Sequence, residues 1–92
     1  MNESEGPTPE WGEIRKRLAR RVLEIRVELY GEHGGPLLAA ALGVSYRNWM
    51  RYESGEAMPA EAMLRFLEAT GANPRWLLTG EGPKFARAGA DG

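Results

Sequence analysis

From Leu38 to Gly55 the chain places helix-forming residues on either side of one glycine, and that arrangement leaves few folds open. Leu38-Ala39-Ala40-Ala41-Leu42 favours a short apolar helix. Gly43 ends it by supplying the positive φ that a tight exit from a helix requires. Val44 then plugs the turn with an apolar side chain, and Ser45 is a good N-cap for a following helix. In that helix Trp49 and Tyr52, three apart, form the inner face, which leaves Tyr46, Arg47, Asn48 and Arg51 on the outer rim. Ala39 is small where the two helices must pass closely. The segment is therefore expected to hold two short helices crossing steeply through a tight turn.

The remaining periodicity is helical too, so the expected fold is all-α with five helices. Residues 1–8 are expected to be a disordered tail, ending on Thr8-Pro9 as a hydroxyl cap and a first-turn proline. Trp11, Ile14, Leu18, Val22, Ile25 and Leu29 then step by three or four, the stripe of one long helix. Leu23, Val27 and Tyr30 add a second stripe in its C-terminal half alone, which predicts broad burial there. The first half carries a narrow seam of Trp11, Ile14 and Leu18, suited to a dimer contact or to packing on Phe85. Gly31 ends this helix, and Pro36 is expected at the first position of the second. The third runs from Tyr46 to Ser54. Pro59 opens a fourth, with Met63, Leu64, Phe66 and Leu67 as its apolar face and Gly71 as its end. Asn73-Pro74 opens a short fifth through Trp76, Leu77 and Leu78 to Gly80. The folded domain is thus placed at residues 9–80, and residues 81–92 read as a flexible C-terminal tail.

Several function classes are disfavoured. The absence of cysteine removes disulfides and thiolate metal sites. His33 is the single histidine, in a glycine-rich loop without other ligands arranged around it, so no metal and no cofactor are expected. No nucleophile–base signature is present, and Gly31, Gly34 and Gly35 follow a helix where a nucleotide loop needs a strand. Catalysis is not expected. No apolar run reaches the roughly 18 residues of a membrane span, and the acidic start lacks the order of a signal peptide. A cytoplasmic protein is the expectation.

A helix held by its inner face, with arginines on its outer face, can enter a DNA major groove. The net charge of −1 opposes that reading, because phosphate neutralisation usually supplies much of the affinity. The distribution is more favourable. Arg15, Lys16, Arg17, Arg20, Arg21 and Arg26 crowd one segment, and Arg47 and Arg51 are the charges between Gly43 and Tyr52. The Arg15–Arg21 run reads first as a solvated face, with phosphate or an acidic partner as the alternative.

In order, Leu38-Ala39, Leu42-Gly43-Val44-Ser45, Tyr52-Glu53-Ser54-Gly55, Pro59 and Trp76-Leu77-Leu78-Thr79-Gly80 resemble the lambda-repressor-like helix-turn-helix family (Cro/repressor, XRE type). The resemblance runs from Leu18 to Gly80. It implies sequence-specific binding of double-stranded DNA by a transcriptional repressor, as a symmetric homodimer with the third helix in the major groove. By position it assigns base reading to Tyr46, Arg47 and Arg51, and places Ser45 and Asn48 near phosphate or the groove edge. Arg26 and Glu53 match a buried ion pair that joins the family's first and third helices. Three departures stand out: Gly35 where the family has a phosphate-contacting glutamine, a longer Gly31–Gly35 loop, and an extended first helix. The backbone amide of Gly35 is the expected substitute contact. The rival expectation is a protein-interaction or antitoxin-like module on the same scaffold, meeting a partner through the N-terminal helix or the C-terminal tail.

Overall fold

The computed structural model describes residues 7–86, and the expected tail residues 1–6 and 87–92 lie outside the described residues. Five helices follow one another: α1 (Pro7–Tyr30), α2 (Gly35–Leu42), α3 (Tyr46–Glu53), α4 (Ala60–Thr70) and α5 (Pro74–Thr79). Helices α1, α2 and α3 pack against one another in pairs, α4 lies on α2, and α5 lies on α1. At their meeting point Val22, Ile25, Leu38, Leu42, Trp49, Phe66 and Leu77 are fully buried, with Ala39 and Ala72 between them. The Trp49 ring stacks on Phe66 at 5.7 Å and meets Tyr52 edge-on at 6.1 Å. Such aromatic pairs add about 0.5–1.5 kcal/mol beyond the area they bury.

Local chemistry explains the joints. Gly43 sits at φ 75°, and its N–H and that of Val44 close on the carbonyls of Ala40 and Ala39. A Cβ in that conformation would be strained, so the exit from α2 belongs to glycine. Val44 packs against the core as the turn's apolar plug. Ser45 adopts extended backbone, and its hydroxyl oxygen accepts from the Asn48 N–H at 3.0 Å. Asn73 caps α5 in the same way, through Arg75 N–H.

Several expectations need correction. The first helix begins at Pro7 and already includes Thr8, because a first helical turn has spare N–H groups and tolerates prolines. In α2 the first residue is Gly35, and Pro36 follows it; Pro59 caps α4 from outside. The broad burial expected for the second half of α1 is narrower, since Val27 and Leu29 are exposed. Leu64 and Leu78 also face outward, away from the stripes that pack. Trp76 is half-buried against the core.

The largest correction concerns the C-terminal segment. Residues 81–86 are docked, whereas a flexible tail was expected from residue 81. Asn73 N–H donates to the Lys84 carbonyl and Ala86 N–H to that of Gly71, around a single antiparallel bridge between Ala72 and Phe85. Phe85 packs on the core, so it does not cover Trp11, which stays 57% exposed. The Lys84 ammonium lies 2.7 Å from Glu24 and 2.8 Å from Glu28 of α1, and 5.6 Å from the centre of the Trp76 ring. The segment thereby straps α5 to α1.

Candidate nucleic-acid interface

The inner side of α3 is fixed by a charge network. Arg26 of α1 donates to both carboxylate oxygens of Glu53, each at 2.9 Å, and its remaining nitrogen donates to the carbonyls of Gly31 and Glu32. The Trp49 indole N–H donates to Glu53 Oε2 at 2.6 Å. The pair is nearly enclosed, with side-chain exposures of 10% and 13%. Hydrogen bonding to Glu53 raises the Arg26 pKa above its ordinary value, against the opposing pull of burial. Because Arg26 also holds the α1–α2 loop by two carbonyls, one guanidinium sets the relation of α1, α3 and the start of α2.

The opposite side of α3 is open. Tyr46 is 46% exposed and Met50 51%, and with Arg47, Arg51 and Ser54 they line a shallow, mainly apolar depression along the helix. Arg47 has no ion-pair partner among the described residues. Arg51 does: its Nε lies 3.0 Å from Glu56 Oε1 in an exposed pair. Asn48 is exposed at the margin and does not line the depression. The Ser45 hydroxyl is already used as the helix cap, which leaves its hydrogen as a free donor.

Gly35 is the first residue of α2. It is buried, and a Cβ on it would come within 2.7 Å of Tyr46 Cε1. The tyrosine ring thus occupies the space that a side chain at position 35 would take. The first residue of α2 is thus a seat for the Tyr46 ring.

Met50 was missed by the sequence reading. It lies one turn after Tyr46 and Arg47 on the same face, and that spacing is the signal that places it there. The Glu56 partner of Arg51 was missed because it lies beyond the helix end. On α1, Trp11 and Ile14 are exposed, at 57% and 43%, while Leu18 is half-buried and packs against the core cluster. Of the expected seam, Trp11 and Ile14 are thus free of the core and Leu18 is shared with it.

No protein-family model, curated protein or solved structure matches this chain.

Chemically, the open face of α3 offers a guanidinium fork, a second one shared with a carboxylate, a phenol and a thioether on one rigid helix. Guanidinium groups so displayed can form two hydrogen bonds to a guanine edge, and apolar groups can meet a thymine methyl. Among the described residues no three of His, Cys, Asp and Glu cluster where they would hold a metal ion. No described helix is long and apolar enough to cross a membrane.

Proposed function

We propose that this chain is a small transcriptional regulator of the lambda-repressor-like helix-turn-helix type that binds a specific double-stranded DNA sequence. In this reading α2, the Gly43–Ser45 turn and α3 form the helix-turn-helix, and α3 lies in the major groove. The observation that carries it is the division of α3 into two faces. Trp49 and Glu53 are committed to the core and to Arg26, while Tyr46, Arg47, Met50 and Arg51 are presented outward on the same helix. Arg47 and Arg51 are the base-reading residues, Tyr46 and Met50 the apolar contacts, and Ser45 and Asn48 the neighbours of the groove edge. A second copy joins through Trp11 and Ile14 of α1, so that two α3 helices meet half-sites about one DNA turn apart. Steric occupation of a promoter by a cytoplasmic homodimer is the mode of action that follows.

Selection of duplex fragments from a random pool tests this. Wild-type protein at low salt should enrich a symmetric motif, and an Arg47→Ala/Arg51→Ala variant with unchanged circular dichroism should not. Equal enrichment by both proteins would remove α3 from base reading.

A second reading rests on Arg51, whose pairing with Glu56 reduces the free positive charge of this face, in a chain of net charge −1. It makes the Tyr46–Met50 surface the seat of a protein partner, as in an antitoxin-like module. Salt separates the two. DNA affinity falls steeply between low and moderate salt through counterion release, whereas an interaction module lacks duplex affinity even at low salt.

A further inference from the structure

A second groove runs alongside the C-terminal end of α3. Lys16, Ala19, Arg20 and Leu23 of α1 form one wall, and Glu53 and Ser54 the other. Ser54 also lines the outer depression with Arg47 and Arg51, so the two surfaces are continuous across one residue. Lys16 and Arg20 are one helical turn apart and both exposed, which puts them on a single side of α1. The Lys16 stem passes close to Gly55, with its Cγ 3.8 Å from where a Cβ there would stand.

The charges of this groove are unevenly committed. The Glu53 carboxylate accepts from Arg26 and Trp49 and is thereby neutralised. Arg21, one residue on, is used structurally by donating to the Leu77 carbonyl. Lys16 and Arg20 have no carboxylate partner among the described residues. A pair of cations thus borders a groove whose one carboxylate, Glu53, is already taken up by Arg26 and Trp49.

We propose that Lys16 and Arg20 are phosphate contacts: the groove between α1 and the end of α3 receives the sugar–phosphate strand that borders the major groove entered by α3. This rests on the DNA-binding reading above and extends it to the lengthened first helix. Part of that helix then acts as a backbone clamp, which supplies local positive charge to a chain that is acidic overall. Phosphate contacts fix register and add affinity without reading bases, so their loss weakens all sequences alike.

The test is the salt dependence of binding to a random-sequence duplex and to the motif recovered by selection, for three proteins. These are the wild type, Lys16→Gln/Arg20→Gln, and the control Arg15→Gln/Arg17→Gln, which removes equal charge from other sides of the same helix. The first variant should give a slope of log affinity against log salt that is shallower by about 1.8, roughly 0.9 for each lost phosphate contact. Its selected motif should be that of the wild type, and the control should keep the wild-type slope. An unchanged slope in Lys16→Gln/Arg20→Gln, or an equal change in both variants, would overturn the clamp while leaving α3 as the reading element. Absence of duplex binding by the wild type at low salt would overturn the DNA reading itself and the clamp with it. All positions changed are exposed, and thermal melts confirm that each variant is folded.

Discussion

The two faces of α3 share eight residues and treat charge in opposite ways. On the inner face Glu53 meets Arg26 and Trp49 in a closed network with little solvent. On the outer face Arg47 stands without an ion-pair partner among the described residues, and Arg51 holds an open pair with Glu56. The difference separates residues that build the fold from residues the fold leaves over. A buried pair adds less than its Coulomb energy suggests, since desolvation opposes it, but removing one partner is costly. An exposed arginine contributes little to stability, so its side chain can be changed without damage to the helix that carries it. The inner face should therefore answer to stability measurements and the outer face to binding measurements.

The largest expected effect lies inside. Glu53→Ala leaves Arg26 enclosed without its partner and should lower stability by about 3–5 kcal/mol, read from denaturant melts. Replacing both residues, as Arg26→Met/Glu53→Leu, should recover much of that loss. If Glu53→Ala melted like the wild type, the network would not be what holds α3.

Outside, Arg47→Ala should leave the melt unchanged and cost about 1–3 kcal/mol in binding, with relaxed preference at one base position. Uniform weakening across sequences would make Arg47 a phosphate contact. Gly35→Ala probes where the two faces meet. The added Cβ displaces the Tyr46 ring, while alanine improves the helix, so stability should shift by no more than about 1 kcal/mol. The Tyr46 ring resonances should move in an NMR spectrum, and a spectrum identical to the wild type would contradict the ring's position over Gly35. Glu56→Gln should release Arg51 and tighten DNA binding by about 0.2–1 kcal/mol at low salt, the size of an exposed ion pair. Weaker binding would mean that Glu56 positions Arg51 for its contact.

The smallest effect concerns the C-terminal strap. Hydrogen bonds first to Glu24 and then to Glu28 raise the Lys84 pKa above its ordinary 10.5. A raised pKa in a cation means that its contribution is present below the unfolded value and lost as pH climbs through the folded one. Trp76 fluorescence should therefore be flat through neutral pH and change above about 10.5, as the strap's charge is removed. A change near neutrality would place another group in control.

The parts of this architecture that were legible in the sequence are those fixed by neighbours a few residues away. Gly43, Gly71 and Gly80 each end a helix in the left-handed conformation, and Ser45 and Asn73 cap the next element. Trp49 at helical spacing from Tyr52 located the inner face of α3 because periodicity and burial agree there. What failed depends on contacts distant in sequence. Leu29 and Leu64 share the apolar character of their neighbours, and whether each meets a partner is decided by packing angles that no local pattern encodes. The docking of residues 81–86 depends on backbone bonds to Gly71 and Asn73 and on Lys84 reaching α1. A strap without helical or strand periodicity carries no such signal. Likewise the seat of Tyr46 on Gly35 joins two helices, and the sequence offered a glycine without showing what fills its space.

The central claim is that the outer face of α3 meets DNA. Backbone NMR resonances followed during addition of a selected duplex at low salt test it most directly. The amides of Tyr46, Arg47, Met50 and Arg51 should shift together and saturably, while those of α4 and the 81–86 strap stay in place. Shifts confined to α4 or the strap, or no shift at all with the protein folded, would contradict it.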